Sequence, residues 1–145
     1  MRIDAGRLLG LDVGERRVGI AVSDDRQTIA SPVSVVNRGP DELTELTRLV
    51  EQYSVVELVA GLPTGMSGRE GPQAGDAREF AERVAASLNL PLFYWDERLT
   101  SVQAERSLIE SGQNRKKRRT LIDAVAAAIM LQSFLDSRAT RASRR

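Results

Sequence analysis

Arg7-Leu8-Leu9-Gly10-Leu11-Asp12-Val13, then Gly14-Glu15-Arg16-Arg17, then Val18-Gly19-Ile20-Ala21-Val22-Ser23: two apolar runs of strand length flank a short polar turn. Asp24-Asp25-Arg26-Gln27 is a second turn signal, and Thr28 to Asn37 carries a third β-branched stretch with Ile29, Val33, Val35 and Val36. Three strands joined by two short turns predict an antiparallel meander. One residue does not belong to an apolar strand. Asp12 puts a carboxylate where an unpartnered charge is costly.

Downstream of Asn37 the period changes. Gly39-Pro40-Asp41 marks a helix start, and Leu43, Leu46, Leu49, Val50 and Tyr53 follow at helical spacing. Val55 to Ala60 reads as a strand closed by Gly61-Leu62-Pro63, and residues 64–75 as a glycine-rich loop. A helix is expected from Ala77 to Leu88, with Phe80, Ala81, Val84 and Leu88 on one face, and a strand from Leu92 to Trp95. Thr100 and Gln103 fit a capping box for a helix ending at Gly112, and an Ala-rich helix spans Leu121 to Leu135. The order β-β-β-α-β-α-β-α-α predicts an α/β fold. Its mixed five-stranded sheet has three antiparallel strands followed by parallel ones, with helices on the faces. A single domain over 1–136 is expected, then a frayed basic tail over 137–145. Ligands of such sheets bind beyond the carboxyl ends of the parallel strands.

Composition restricts the chemistry available there. The 145 residues include no Cys and no His, so thiolate or imidazole zinc sites, cysteine nucleophiles and Ser-His-Asp triads are excluded. No apolar run approaches the ~20 residues of a membrane span and no secretory leader is visible, so the expected location is the cytoplasm. The net charge of +1 conceals an uneven distribution. Residues 115–145 hold nine Lys/Arg against two Asp/Glu, whereas residues 1–114 hold twelve against eighteen. A polyanion is drawn to one end of the chain only.

Three carboxylates are expected to converge. Asp12 and Glu97 both stand at the carboxyl ends of strands, with the end of the Val55–Ala60 strand between them, so their backbones start about 10 Å apart. Asp123 opens the last helix among apolar neighbours. It either stabilises the helix dipole or joins the other two acids. An all-oxygen set of this kind suits Mg²⁺ or Mn²⁺ and handles phosphates. Gly14 and Gly61 beside these acids permit either a tight turn or close approach by a ligand. The glycine-rich loop lacks the Gly-Lys-Ser/Thr of a P-loop.

Leu9-Gly10-Leu11-Asp12-Val13-Gly14 with Val18-Gly19-Ile20-Ala21-Val22-Ser23-Asp24 resembles the opening of the YqgF/RuvX family. Val59-Ala60-Gly61-Leu62-Pro63, Asp96-Glu97-Arg98-Leu99-Thr100 and Ile122-Asp123-Ala124-Val125-Ala126-Ala127 resemble its later signatures, so the likeness spans residues 7–136. The resemblance implies an RNase H-like fold and a metal-dependent nuclease with Asp12, Glu97 and Asp123 at its three acidic positions. The family is described both as pre-16S rRNA nucleases and as Holliday junction resolvases. Many members carry a Lys just before the last acid; here Thr120, Leu121 and Ile122 stand there, and the nearest cations are Arg118 and Arg119.

The basic residues near the acids are the expected nucleic-acid ligands. Arg115, Lys116, Lys117, Arg118 and Arg119 would contact backbone phosphates, and at least one of Arg16, Arg17 and Arg98 would hold the scissile strand. Arg98 has a second reading, in which it orients a carboxylate through a bidentate pair. The resemblance implies a substrate of structured or precursor RNA, or of branched DNA, the latter calling for a homodimer. Two other classes share parts of this pattern. An actin-like ATPase needs two such domains to close on a nucleotide. A non-catalytic binding module would leave three acids beside a polyanion without a cation.

Overall fold

The computed structural model describes residues 6–63, 71–99 and 122–143. The strands are β1 (Arg7–Val13), β2 (Arg17–Ser23), β3 (Ala30–Asn37), β4 (Val55–Leu62) and β5 (Leu92–Asp96). The helices are α1 (Glu42–Tyr53), α2 (Pro72–Leu88) and α3 (Ile122–Ser143), with a 3-10 turn over Glu97–Leu99. The expected helix from Thr100 to Gly112, the basic run 115–119, and Gly65 and Gly68 lie outside the described residues.

The sheet order is β3-β2-β1-β4-β5, antiparallel across β1–β2–β3 and parallel across β1–β4–β5. This is the expected mixed sheet, with β4 between β1 and β5. Pro32 sits in β3 because β3 is an edge strand, where a missing N–H costs no ladder bond. Beside it the register slips, from Ile20↔Ser34 to Ala21↔Pro32, so a bulge absorbs the irregularity.

Alternation along the strands sorts the core into two layers. Leu9, Leu11, Ile20, Leu58 and Ala60 face α1 and α2, where they bury Leu46, Leu49, Phe80, Ala81 and Val84. Leu8, Ala21, Val59 and Trp95 face the other way, against Ala127, Ala128, Leu131 and Phe134 of α3. Each fully buried large side chain in these layers contributes about 1.5–3 kcal/mol. Asp12 follows Leu8 and Gly10 in alternation, so its carboxyl stands on the α3 face.

Several boundaries differ from the sequence reading: β2 opens one residue early, at Arg17, and β5 ends one residue late, at Asp96. β4 continues through Gly61 to Leu62. β3 starts at Ala30 rather than Thr28, because Asp24 ties up the preceding residues, accepting bonds from Thr28 N, Thr28 Oγ1 and Ile29 N at 2.7–3.0 Å. α2 begins at Pro72, not Ala77: proline's fixed φ and missing N–H suit a first helical turn, and Gly75 is carried inside the helix. α3 runs on to Ser143, so most of the supposed frayed tail is helical. The extension contains neither Gly nor Pro, and Arg138 anchors it. Its Nη1 donates to Glu57 Oε2 at 2.9 Å while the guanidinium lies over Phe93 and Phe134.

Candidate active site

Asp12 is brought to the edge of the sheet by β1, one residue past the Leu11↔Ala60 pair with β4. Glu97 follows β5 directly and leans back across β4. Gly61 makes that possible: a Cβ there would meet Glu97 Oε1 at 2.8 Å and Met130 Cγ at 3.1 Å. Gly61 is therefore a place of close approach as expected, but the visitor is the side chain of Glu97. The carboxyls of Asp12 and Glu97 end up hydrogen-bonded to one another.

Two acids can share a hydrogen bond only if a proton stays between them. Burial raises Glu97, the charge of Asp12 and the hydrogen bond to it add to the effect, and Asp96 contributes further, so the group is pushed up to about 7. Asp12 is also raised, chiefly by burial. The hydrogen bond from Glu97 works the other way, and the charge of Asp123 adds to the rise.

Asp123 enters from α3, the helix layer that Asp12 faces. β2 carries Gly19 opposite Asp12, and a Cβ on Gly19 would collide with the backbone carbonyl of Asp123 and lie 3.1 Å from Ala124 N. The bare backbone at Gly19 lets the first turn of α3 settle onto the sheet beside Asp12. Ala124, Ala127 and Ala128 keep that approach close. The carboxylate of Asp123 does not join the Asp12–Glu97 pair directly; it accepts a bond from Arg17 Nε at 2.9 Å. Among the described residues no three acids are gathered closely enough to hold a metal ion together. Asp12 and Asp123 line one cleft of about 330 Å³, together with Gly14, Glu15, Arg16 and Arg17.

The turn bearing Arg16 and Arg17 is held from outside. Gly14 N donates to Arg17 O at 2.8 Å, and Arg38 N donates to Arg16 O at 2.9 Å. Arg38 Nη1 donates to Gly14 O at 3.0 Å, and the same guanidinium forks onto Asp76 of α2 at 2.6 and 3.1 Å. Gly14 thus serves the tight turn. The Arg38–Asp76 brace was missed from sequence, since no periodicity or motif links residues 38 apart. Arg98 forks its Nε and Nη2 onto Asp96, which is the carboxylate-pairing geometry, and Arg16 is exposed.

The chemistry of the Asp12 and Glu97 donors suits a divalent cation. It is all oxygen, and the two half-buried carboxyls lie together at the cost of a retained proton, a cost a hard cation removes.

A five-stranded mixed sheet in the order β3-β2-β1-β4-β5, with acids at the carboxyl ends of its parallel strands, is an RNase H-like fold. A family model described as RuvX, Holliday junction resolvase, matches residues 6–137. The chain belongs to that family. A protein of Pelotomaculum thermopropionicum named "Putative pre-16S rRNA nuclease" is 46% identical over 134 residues, covering 90% of this chain and 87% of the relative. One of the same name from Roseiflexus sp. is 43% identical, covering 94% and 99%. Among solved structures, T. thermophilus RuvC in complex with a Holliday junction substrate matches at TM-score 0.59 and 15% identity, covering 93% of this chain and 96% of that one. The fowlpox virus resolvase with its junction DNA matches at 0.57 and 10% identity, covering 90% and 97%. At these identities the likeness is one of fold.

Proposed function

We propose that the chain hydrolyses phosphodiester bonds of precursor 16S ribosomal RNA, at its 5′ end, using Mg²⁺ or Mn²⁺ held by Asp12, Glu97 and Asp123. The observation that carries this reading is the Asp12–Glu97 pair, two half-buried carboxyls brought together at the carboxyl ends of β1 and β5. Bound there, the cation would supply a water of lowered pKa and charge neutralisation for the phosphate. The residues do the rest. Asp12 fixes the ligand position through β1, the most central strand, and Glu97 gives up its proton to become a ligand. Arg16 and Arg17 line the approach for the scissile strand, while Arg98 holds Asp96 beside Glu97. Arg115, Lys116, Lys117, Arg118 and Arg119 are assigned to phosphates farther along. The names of the relatives supply the substrate class.

The family description supports a second reading on branched DNA, which requires two copies facing two strands. Purified protein with Mn²⁺ is offered 5′-extended 16S precursor and four-way DNA junctions in parallel, beside Asp12→Asn. Cleavage of the precursor by wild type alone supports the proposal. Cleavage confined to junctions, by a species that sediments as a dimer, favours the second reading. Equal activity in Asp12→Asn sinks both.

A further inference from the structure

Arg17 opens β2 two residues before Gly19, so both belong to the sheet face that receives α3. Its Nε bond to Asp123 Oδ2 joins the first residue of one strand to the first turn of a helix 106 positions away. The two side chains are 58% and 34% exposed, so the pair stands at the mouth of the cleft, not beneath it. Only Nε is engaged with a described residue; the guanidinium has four further N–H donors. The cleft therefore holds a carboxylate already committed to a cation, and a planar fork of the geometry that phosphate oxygens accept.

We propose that Arg17 serves this site in two alternating ways. It holds Asp123 while no divalent ion is bound, and once Asp123 turns to the ion it passes its guanidinium to a backbone phosphate of the nucleic acid. The proposal rests on the metal-nuclease reading above and adds an ordering to it. Arg17 opposes metal binding in the free protein and favours nucleic acid in the loaded one. A residue that merely braced the fold would not give these two effects opposite signs.

The test is calorimetric titration of the full chain with Mn²⁺ at low salt, without nucleic acid. It compares wild type, Arg17→Gln, Arg17→Lys, Asp123→Asn and the double variant Arg17→Gln/Asp123→Asn. Binding of a single-stranded RNA oligonucleotide in Ca²⁺ is measured on the same proteins. Arg17→Gln is expected to bind Mn²⁺ about fivefold tighter, the scale of a partly exposed ion pair acting on a divalent charge. Arg17→Lys, which keeps the charge, stays near wild type. The gain disappears in the Asp123→Asn background, because Arg17 acts through that carboxylate. RNA affinity of Arg17→Gln falls, with a salt slope shallower by about 0.7. Unchanged Mn²⁺ affinity in Arg17→Gln, an equal gain with and without Asp123, or undiminished RNA affinity overturns the proposal alone. Absence of Mn²⁺ binding in wild type overturns the metal reading itself, and the proposal with it.

Discussion

Asp12 is one carboxylate in an apolar strand, and the protein supports it with another acid instead of a base. Removing its charge separates function from stability. Asp12→Asn is expected to lower nuclease activity by at least about a hundredfold, the scale of losing a group that stabilises transition-state charge. Its melting temperature without metal should match or exceed wild type, because a buried repulsion has been relieved. Assay and thermal melt on one preparation check both. Glu97 gives the pH counterpart. Its folded pKa, about 7, lies above the ordinary 4.5. The protonated group is compatible with the fold below pH 4.5, and that contribution is lost as pH rises through 7. Chelator-treated wild type should therefore melt at progressively lower temperature across this window, and Glu97→Gln should flatten the dependence. A wild-type profile indistinguishable from Glu97→Gln would contradict the shared proton.

Between elements, contact is regulated by the absence of side chains. Gly19 and Gly61 each clear a space, but their neighbours differ in kind. At Gly19 the obstacle to a Cβ is the backbone of Asp123 and Ala124; at Gly61 it is chiefly the end of the Glu97 side chain, with Met130 behind it. Gly19→Ala should cost about 1–3 kcal/mol in urea unfolding, as overpacking against rigid atoms does. Gly61→Ala should unfold with a smaller loss yet bind Mn²⁺ more weakly, since Glu97 is what must move. Equal unfolding costs for the two would refute this division. The far end of α3 depends on Arg138, which ties Glu57 and two aromatic rings together. Arg138→Ala should lower stability by about 1–2 kcal/mol through lost packing and cation–π contact, measurable as a shifted denaturation midpoint.

For the molecule as a whole, charge is divided along the chain: an acidic sheet edge and a strongly basic final stretch. Neutralising Arg115, Lys116 and Lys117 should weaken binding to all single-stranded sequences alike. It should also reduce the slope of log affinity against log salt by roughly 0.7 for each lost phosphate contact. A fluorescence titration series from low to physiological salt decides it; an unaltered slope removes the run from the interface.

Much of this was legible in one dimension because it depends on local rules. Strand alternation, turn residues and the misplaced Asp12 disclosed the meander, and right-handed crossovers then placed β4 between β1 and β5. The absence of His and Cys limits the site to oxygen ligands from composition alone. Helix ends were less legible. Pro72 as a first helical residue and the continuation of α3 past Leu135 are each permitted by local propensity, and packing settles them. The three acids were nameable from sequence, but their relation was not. Tertiary contact alone decided that Asp12 and Glu97 share a hydrogen bond over Gly61, while Asp123 is held apart by Arg17, and that Arg38 and Asp76 brace the turn between them. Those facts depend on side chains meeting across 38 to 106 positions of chain. Over such separations no periodicity survives, and burial and electrostatics select the partner.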